Sequence, residues 1–140
     1  MEHTGKDCRG DYMAWELKSD RPIYSQLIEQ IQLMVVSGIF PAGSKLPSVR
    51  EMAAQASVNP NTMQRALSQL ESDGLLYSQR TSGRYVTEDV QKIMQTKNGL
   101  AAELIHDFID RMNQLGFDRS QTLAFLNRYM KEDEQNGQHC

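Results

Sequence analysis

Apolar residues at Ile23, Leu27, Ile31 and Met34 recur at three- and four-residue intervals, with Ile28 and Val35 widening the stripe, and this period predicts an amphipathic helix. Pro22 suits the first turn of that helix, where its missing N–H has no helical partner, and Gly38 suits its end. Upstream, Met13, Trp15 and Leu17 alternate with polar residues, as a short strand over residues 13–17 would. Residues 39–47 hold Pro41, Gly43 and Pro47 and read as a loop.

The next pattern is set by caps. Ser48-Val49-Arg50-Glu51 has the spacing of a capping box, in which the serine hydroxyl and the glutamate carboxylate each satisfy a free backbone N–H, and a short helix to about Ala56 follows. Asn59-Pro60 restarts a helix almost at once, with asparagine as N-cap and proline at the first helical position, so Ser57 and Val58 are left for a tight turn. Asp73-Gly74 stops the second helix. Residues 75–79 and 84–87 then flank Arg80-Thr81-Ser82-Gly83 as a two-stranded hairpin with a polar tip. Helix, helix, turn, helix, hairpin is the order of a winged helix-turn-helix.

Beyond Thr87 the helical period returns through Ile93, Leu100, Leu104, Ile105, Phe108, Met112 and Leu115 up to Gly116. A second capping spacing, Asp118 to Gln121, opens a last helix with Leu123, Leu126 and Met130 on one face. Two helices have too little material for a core of their own, so this apolar set is expected to pack on a second copy of the chain. The fold class expected is mainly α with a small β wing. Residues 13–87 form a winged helix-turn-helix DNA-binding domain and residues 88–134 a helical dimerisation segment, with extensions over 1–12 and 135–140.

Composition adds limits to this picture. Hydrophobic residues at 39% and charged residues at 24% are ordinary for a globular chain of 140 residues, and no apolar run is long enough for a membrane span or a secretory signal. A cytoplasmic location and no membrane partner are expected. Cys8 and Cys140 stand near opposite ends, with the spacing of neither a metal clasp nor a disulfide framework. The formal charge of −3 argues against a phosphate-binding surface only until it is resolved along the chain. Residues 41–87 carry Lys45, Arg50, Arg65, Arg80 and Arg84 against Glu51, Glu71 and Asp73, and the acidic surplus lies mainly after Thr87.

The helix opening at Asn59 buries Met63, Ala66, Leu67 and Leu70 and turns Asn61, Gln64, Arg65 and Ser68 outward. An ordinary solvated face carries Glu and Lys more often. Amides pair with adenine edges and guanidinium groups with guanine, so this face suits the major groove of double-stranded DNA. Arg50 projects beside the N-terminus of the Ser48 helix, at the edge of such a groove, unless it pairs with Glu51 or Glu71. Arg80 and Arg84 bracket the wing tip with Ser82 and Gly83, where they either protect a sheet edge or meet the DNA backbone, and Gly83 allows close approach.

Leu46-Pro47-Ser48-Val49-Arg50-Glu51-Met52-Ala53, residues 58–67 (Val-Asn-Pro-Asn-Thr-Met-Gln-Arg-Ala-Leu) and Leu70-Glu71-Ser72-Asp73-Gly74-Leu75 together closely resemble the GntR family of bacterial transcription regulators. Pro22-Ile23-Tyr24-x-Gln26-Leu27 and the brief tail resemble its YtrA-type subfamily. The resemblance implies a homodimer on a palindromic operator, with the wing beside the minor groove and the short tail dimerising. It implies that Arg50 reads a base, that Ser48 and Thr62 contact phosphate or groove, and that Gly83 is the wing glycine. Many members carry arginine where this chain has Pro60 and Gln64, so base reading is expected to shift to Asn61, Gln64 and Arg65. Members of this length begin near the equivalent of Met13, which leaves residues 1–12 as an extension. The function expected is a repressor, with transporter genes among its targets.

Two other classes stand beside this reading. One is a metal- or ligand-responsive sensor using the C-terminal helices, where Glu103, His106, Asp107 and Asp110 fall on one helix face and can be read as metal ligands, a face that is more often simply solvated; His3 and His139 have less claim. A non-regulatory DNA-binding role in plasmid partition or replication is the alternative among binding proteins. Enzyme activity finds no phosphate-cradling glycine loop and no nucleophile elbow, and no cofactor is expected; the eight methionines serve as adaptable packing.

Overall fold

A computed structural model describes residues 15–135, and these divide into two compact units, one ending at Lys97 and the other beginning at Asn98. Residues 1–14 and 136–140, with Met13, both cysteines, His3 and His139, lie outside the described residues.

The first unit contains α1 (Ile23–Val36), α2 (Val49–Ala56), α3 (Pro60–Ser72), β1 (Leu76–Gln79) and β2 (Gly83–Val86), and it takes in the start of α4 (Val90–Gln114). Pro22 is the N-cap of α1, one position ahead of where its helix-starting role places it in the sequence pattern. Trp15 and Leu17 pack against the core and Glu16 is exposed, as the alternation requires, but residues 15–17 form no strand. Their backbone partners are helix side chains. Glu16 exchanges hydrogen bonds with the Gln30 amide, and Lys18 N–H donates to Gln26 Oε1 at 2.6 Å while Gln26 Nε2 donates to the carbonyls of Lys18 (2.7 Å) and Arg21 (2.9 Å). Gln26 is 1% exposed and so depends on these bonds, which explains a glutamine on the buried side of α1.

The caps form as the spacing predicts. Ser48 Oγ accepts from Glu51 N–H at 3.1 Å and Glu51 Oε1 accepts from Ser48 N–H at 2.9 Å; Asn59 Oδ1 accepts from Asn61 N–H at 2.7 Å. Such caps contribute about 0.5–2 kcal/mol each. Between α2 and α3 the chain reverses through Ser57, which takes a left-handed conformation (φ 57°) so that Val58 N–H reaches back to the Ala53 carbonyl at 3.0 Å. At the end of α3, Gly74 (φ 89°) allows the same closure, with Leu75 N–H on the Leu70 carbonyl at 3.0 Å. That bond takes up the Leu75 N–H, so β1 begins at Leu76, while the Leu75 carbonyl still accepts from Thr87 N–H at 2.9 Å.

Leu27 and Ile31 of α1, Met52 of α2, Met63, Leu67 and Leu70 of α3, and Leu75, Leu76 and Val86 around the hairpin are fully buried in one cluster, each contributing about 1.5–3 kcal/mol by leaving water. β1 and β2 are antiparallel, with Leu76 opposite Val86 and Ser78 opposite Arg84. Residues 43–46 run along the free side of β2, through Val86 N–H on the Ser44 carbonyl and Leu46 N–H on the Arg84 carbonyl, both at 2.9 Å. The loop between Pro41 and Pro47 therefore covers one edge of the wing.

The second unit holds the remainder of α4 and α5 (Arg119–Gln135). Their connection closes at Gly116 (φ 98°), and Asp118 and Gln121 cap α5 reciprocally at 2.9 and 2.8 Å. Met112 and Thr122 are its buried residues, whereas Leu104, Ile105, Phe108, Leu115, Leu123, Leu126 and Met130 are exposed and Leu100 is half-buried.

Candidate nucleic-acid interface

The helix-turn-helix and the wing present separate parts of one polar surface on the first unit. Ser48 is fixed by its capping box at the start of α2, and Arg50 stands exposed in the first helical turn. It pairs with neither Glu51 nor Glu71 and forms no ion pair with another described residue, so its five donors remain available beside a helix N-terminus.

Along α3, Asn61, Gln64, Arg65 and Ser68 are exposed, Thr62 is half-buried, and Met63, Ala66, Leu67 and Leu70 face inward, as the helical period requires. The side chains are not equally free. Asn59 is engaged in capping. Gln64 Nε2 donates to Ser68 Oγ at 3.1 Å, which leaves the glutamine carbonyl open as an acceptor. The Arg65 guanidinium lies 4.6 Å from the ring centroid of Tyr24 on α1, whose hydroxyl donates to Gln69 at 3.5 Å. This cation–π contact holds Arg65 toward α1, beside the row formed by Asn61, Gln64 and Ser68.

The wing is braced at several points. Tyr77 and Tyr85 stack across the strands at 5.6 Å, Tyr85 Oη donates to Ser82 Oγ at 3.0 Å, and Ser82 Oγ donates to Gln79 Oε1 at 3.0 Å. Gly83 has φ 121°, so the backbone favours glycine, and the end of the Lys45 side chain passes over it, where a Cβ would stand 3.1 Å from Lys45 Cε. Arg80 is exposed at the tip. Arg84, which the sequence places beside it as a second outward cation, instead donates through Nε (3.2 Å) and Nη2 (3.0 Å) to Glu71 Oε1 at the end of α3. Hydrogen bonding from Ser78 first, then the Arg84 charge, holds the Glu71 carboxyl below the usual carboxylate range against the opposing effect of burial.

An open groove of about 550 Å³ runs between the N-terminus of α2 and the hairpin. Ser48, Arg80, Ser82, Gly83 and Arg84 line it, whereas Arg50, Asn59 and the polar row of α3 do not. Lys45 lines it too and was not among the candidate side chains. It counts toward the local positive charge in the sequence, but a loop between two prolines has no period from which its direction can be read.

Glu103, His106, Asp107 and Asp110 do not converge. His106 Nδ1 lies 3.4 Å from Asp110, Asp107 pairs with Arg111 at 3.2 Å, and no group of three or more metal-ligating side chains is assembled among the described residues.

Two linked, capped helices with a polar second helix, followed by a braced hairpin whose groove gathers cations, define a winged-helix DNA-binding protein. Residues 23–86 match the profile of the bacterial regulatory proteins of the gntR family. The uncharacterized HTH-type transcriptional regulator YhcF of Bacillus subtilis is 37% identical over 81% of this chain and 94% of its own length. The HTH-type transcriptional repressor YtrA of the same organism is 33% identical over 82% of this chain and 86% of its own length. A GntR family transcriptional regulator from Listeria monocytogenes superimposes with a TM-score of 0.74 at 38% identity, over 80% of this chain and 98% of that one. The chain belongs to the GntR family and is a YtrA-like, DNA-binding transcription regulator. No helix among the described residues is long and apolar enough to cross a membrane.

Proposed function

We propose that the protein is a cytoplasmic repressor that binds a palindromic operator as a homodimer. The observation that carries the DNA-binding half is the surface of the first unit, where Arg50 stands free beside the capped start of α2, next in the chain to the open polar row of α3. In this reading α3 lies in the major groove with Asn61 and Gln64 toward base edges, Arg50 reads a base, and Arg80, with Lys45, meets phosphate along the wing. The second unit supplies dimerisation through Leu104, Ile105, Phe108, Leu115, Leu123, Leu126 and Met130, because the described residues leave these apolar side chains exposed. The same face includes an apolar hollow of about 420 Å³ bounded by Phe108, Met112, Phe125 and Leu126, which a second copy fills. A two-fold dimer presents two identical reading heads and so requires inverted half-sites about one helical turn apart. Repression follows the name of the YtrA relative, and the subfamily resemblance extends the proposal to transporter genes.

Selection of bound duplexes from random DNA with the full-length protein tests this, together with sedimentation of the complex. The expected result is an inverted repeat bound by two copies. A single asymmetric site occupied by one copy would overturn it.

A further inference from the structure

The hairpin register places Ser78 and Arg84 directly opposite one another, and Arg84 reaches the carboxylate of Glu71 in the last turn of α3, which hydrogen bonding from Ser78 also helps hold below the usual carboxylate range. Arg84 gives that carboxylate two hydrogen bonds, at 3.2 and 3.0 Å, and the pair is largely withdrawn from water, with side-chain exposures of 15% and 28%. α3 carries the polar row expected in the major groove, and the hairpin carries Arg80 and Ser82 at its tip. The chain between them is Gly74 and Leu75; the base of the hairpin is anchored by Leu76 and Val86 in the core and by residues 43–46 along β2, and the Arg84–Glu71 pair adds a side-chain bridge from the end of α3 to the middle of β2. Tyr77 and Tyr85 stiffen the hairpin internally and do not orient it.

We propose that Glu71 is a positioning residue for DNA recognition: with Ser78 and Arg84 it sets the angle of the wing on α3, so that wing and helix engage one duplex in register. This rests on the DNA-binding reading above and departs from a direct role for Arg84. With Nε and Nη2 on the Glu71 carboxylate, Arg84 is half of a charge-neutral pair and keeps only its remaining N–H groups for a phosphate. Specific binding needs wing and helix contacts at once, whereas non-specific binding tolerates a loose wing because phosphates are everywhere.

The test uses full-length Glu71→Gln, Arg84→Gln and the double variant on two probes, the duplex selected from random DNA by the unaltered protein and a mixed-sequence duplex of equal length, across a salt series. A brace predicts that each single variant weakens the selected duplex roughly 3- to 30-fold, with non-specific affinity and salt slope nearly unchanged. The double variant is then no worse than the weaker single. Undiminished binding by Glu71→Gln, with Arg84→Gln alone losing affinity and about one unit of salt slope, would overturn the brace and make Arg84 a phosphate contact. Additive losses would overturn it as well. Ser78→Ala and Arg84→Lys repeat the comparison with milder changes should the glutamine variants melt below the assay temperature, and affinity unchanged in both counts against the brace. Hydrogen exchange on the free protein separates this failure from failure of the operator reading. Glu71→Gln should speed exchange in β1 and β2 several-fold while leaving α1 unchanged, and unchanged exchange in the hairpin overturns the proposal even if no preferred duplex is ever selected.

Discussion

The two units bury their apolar residues in opposite ways. In the first, sixteen buried apolar residues from three helices, a loop and a hairpin form one cluster, and what is left outside is the polar row of α3, Arg50 and the wing. In the second, Met112 is the buried apolar residue, while Leu104 is 72% exposed and Leu115 73%. Both follow the same helical period in the sequence. The difference is closure: three elements converge on α3 and complete its burial, whereas the second unit's pair of helices has two apolar faces and too few neighbours to cover them. A surface that is polar after closure is free for a polar ligand such as DNA, and one that is apolar after closure calls for another apolar surface.

The strongest way to break this comparison is to make the second unit polar. Leu104→Glu with Leu123→Glu changes two residues that are 72% and 60% exposed, so neither disturbs its own protomer. The double variant should sediment as a monomer with unaltered helix content. It should also lose about 100- to 10,000-fold in operator affinity, the advantage two linked reading heads have over one. A variant that remains dimeric would place the interface elsewhere.

The converse change lies in the closed core. Leu67→Ala, at 1% exposure under α1 and α2, should lower the unfolding free energy by ~2–5 kcal/mol, read from denaturant titration. Because its cluster is complete within one chain, that loss should not vary with protein concentration, unlike any loss from the second unit's face. Concentration dependence of the Leu67→Ala deficit would show that the first unit also leans on a partner.

The same contrast governs how much could be read from the sequence. Helix starts were legible because a capping box or an Asn-Pro pair carries its own local chemistry, and Ser48, Asn59 and Asp118 all cap as the spacing requires. Alternation at Trp15 and Leu17 reported burial correctly but not the strand, because the backbone partners there are two glutamine side chains on α1, and period alone does not distinguish them from a neighbouring strand. The outward residues of α3 were legible from its inward ones. The partners that bend those side chains aside were not: Tyr24 lies 41 residues before Arg65, and Glu71 13 before Arg84, distances over which only the folded topology decides what meets. Lys45 was hidden for a related reason, since its place over Gly83 depends on the loop pairing with β2.

Within the polar surface, Arg50 sharpens the comparison further, because it is exposed beside the start of α2 and, like Lys45 and Arg80, has no ion-pair partner among the described residues. Arg50→Ala should weaken binding to the selected duplex by ~1–3 kcal/mol with little effect on a mixed-sequence duplex, measured by titration at one salt concentration. Equal loss on both would mark it as a phosphate contact. Its effect on unfolding should be small, as its side chain supports nothing in the core.

The smallest effect expected is a dependence on pH that belongs to the first unit. Hydrogen bonding from Ser78 and the charge of Arg84 hold the folded Glu71 carboxyl below its ordinary value of 4.5. A lowered carboxylate contributes stability that is fully present above the unfolded value and is lost as pH falls through the folded one. Thermal unfolding should therefore show Glu71→Gln destabilised by about 0.2–1 kcal/mol near neutrality, the range of a partly exposed pair, with the deficit shrinking as pH falls below 4.5. The deficit should be the same in the monomeric Leu104→Glu, Leu123→Glu background, because both ends of the pair lie in the unit that closes on itself. A deficit that grows on acidification would mean that the carboxyl is held by its protonated form and that Arg84 does not stabilise its charge.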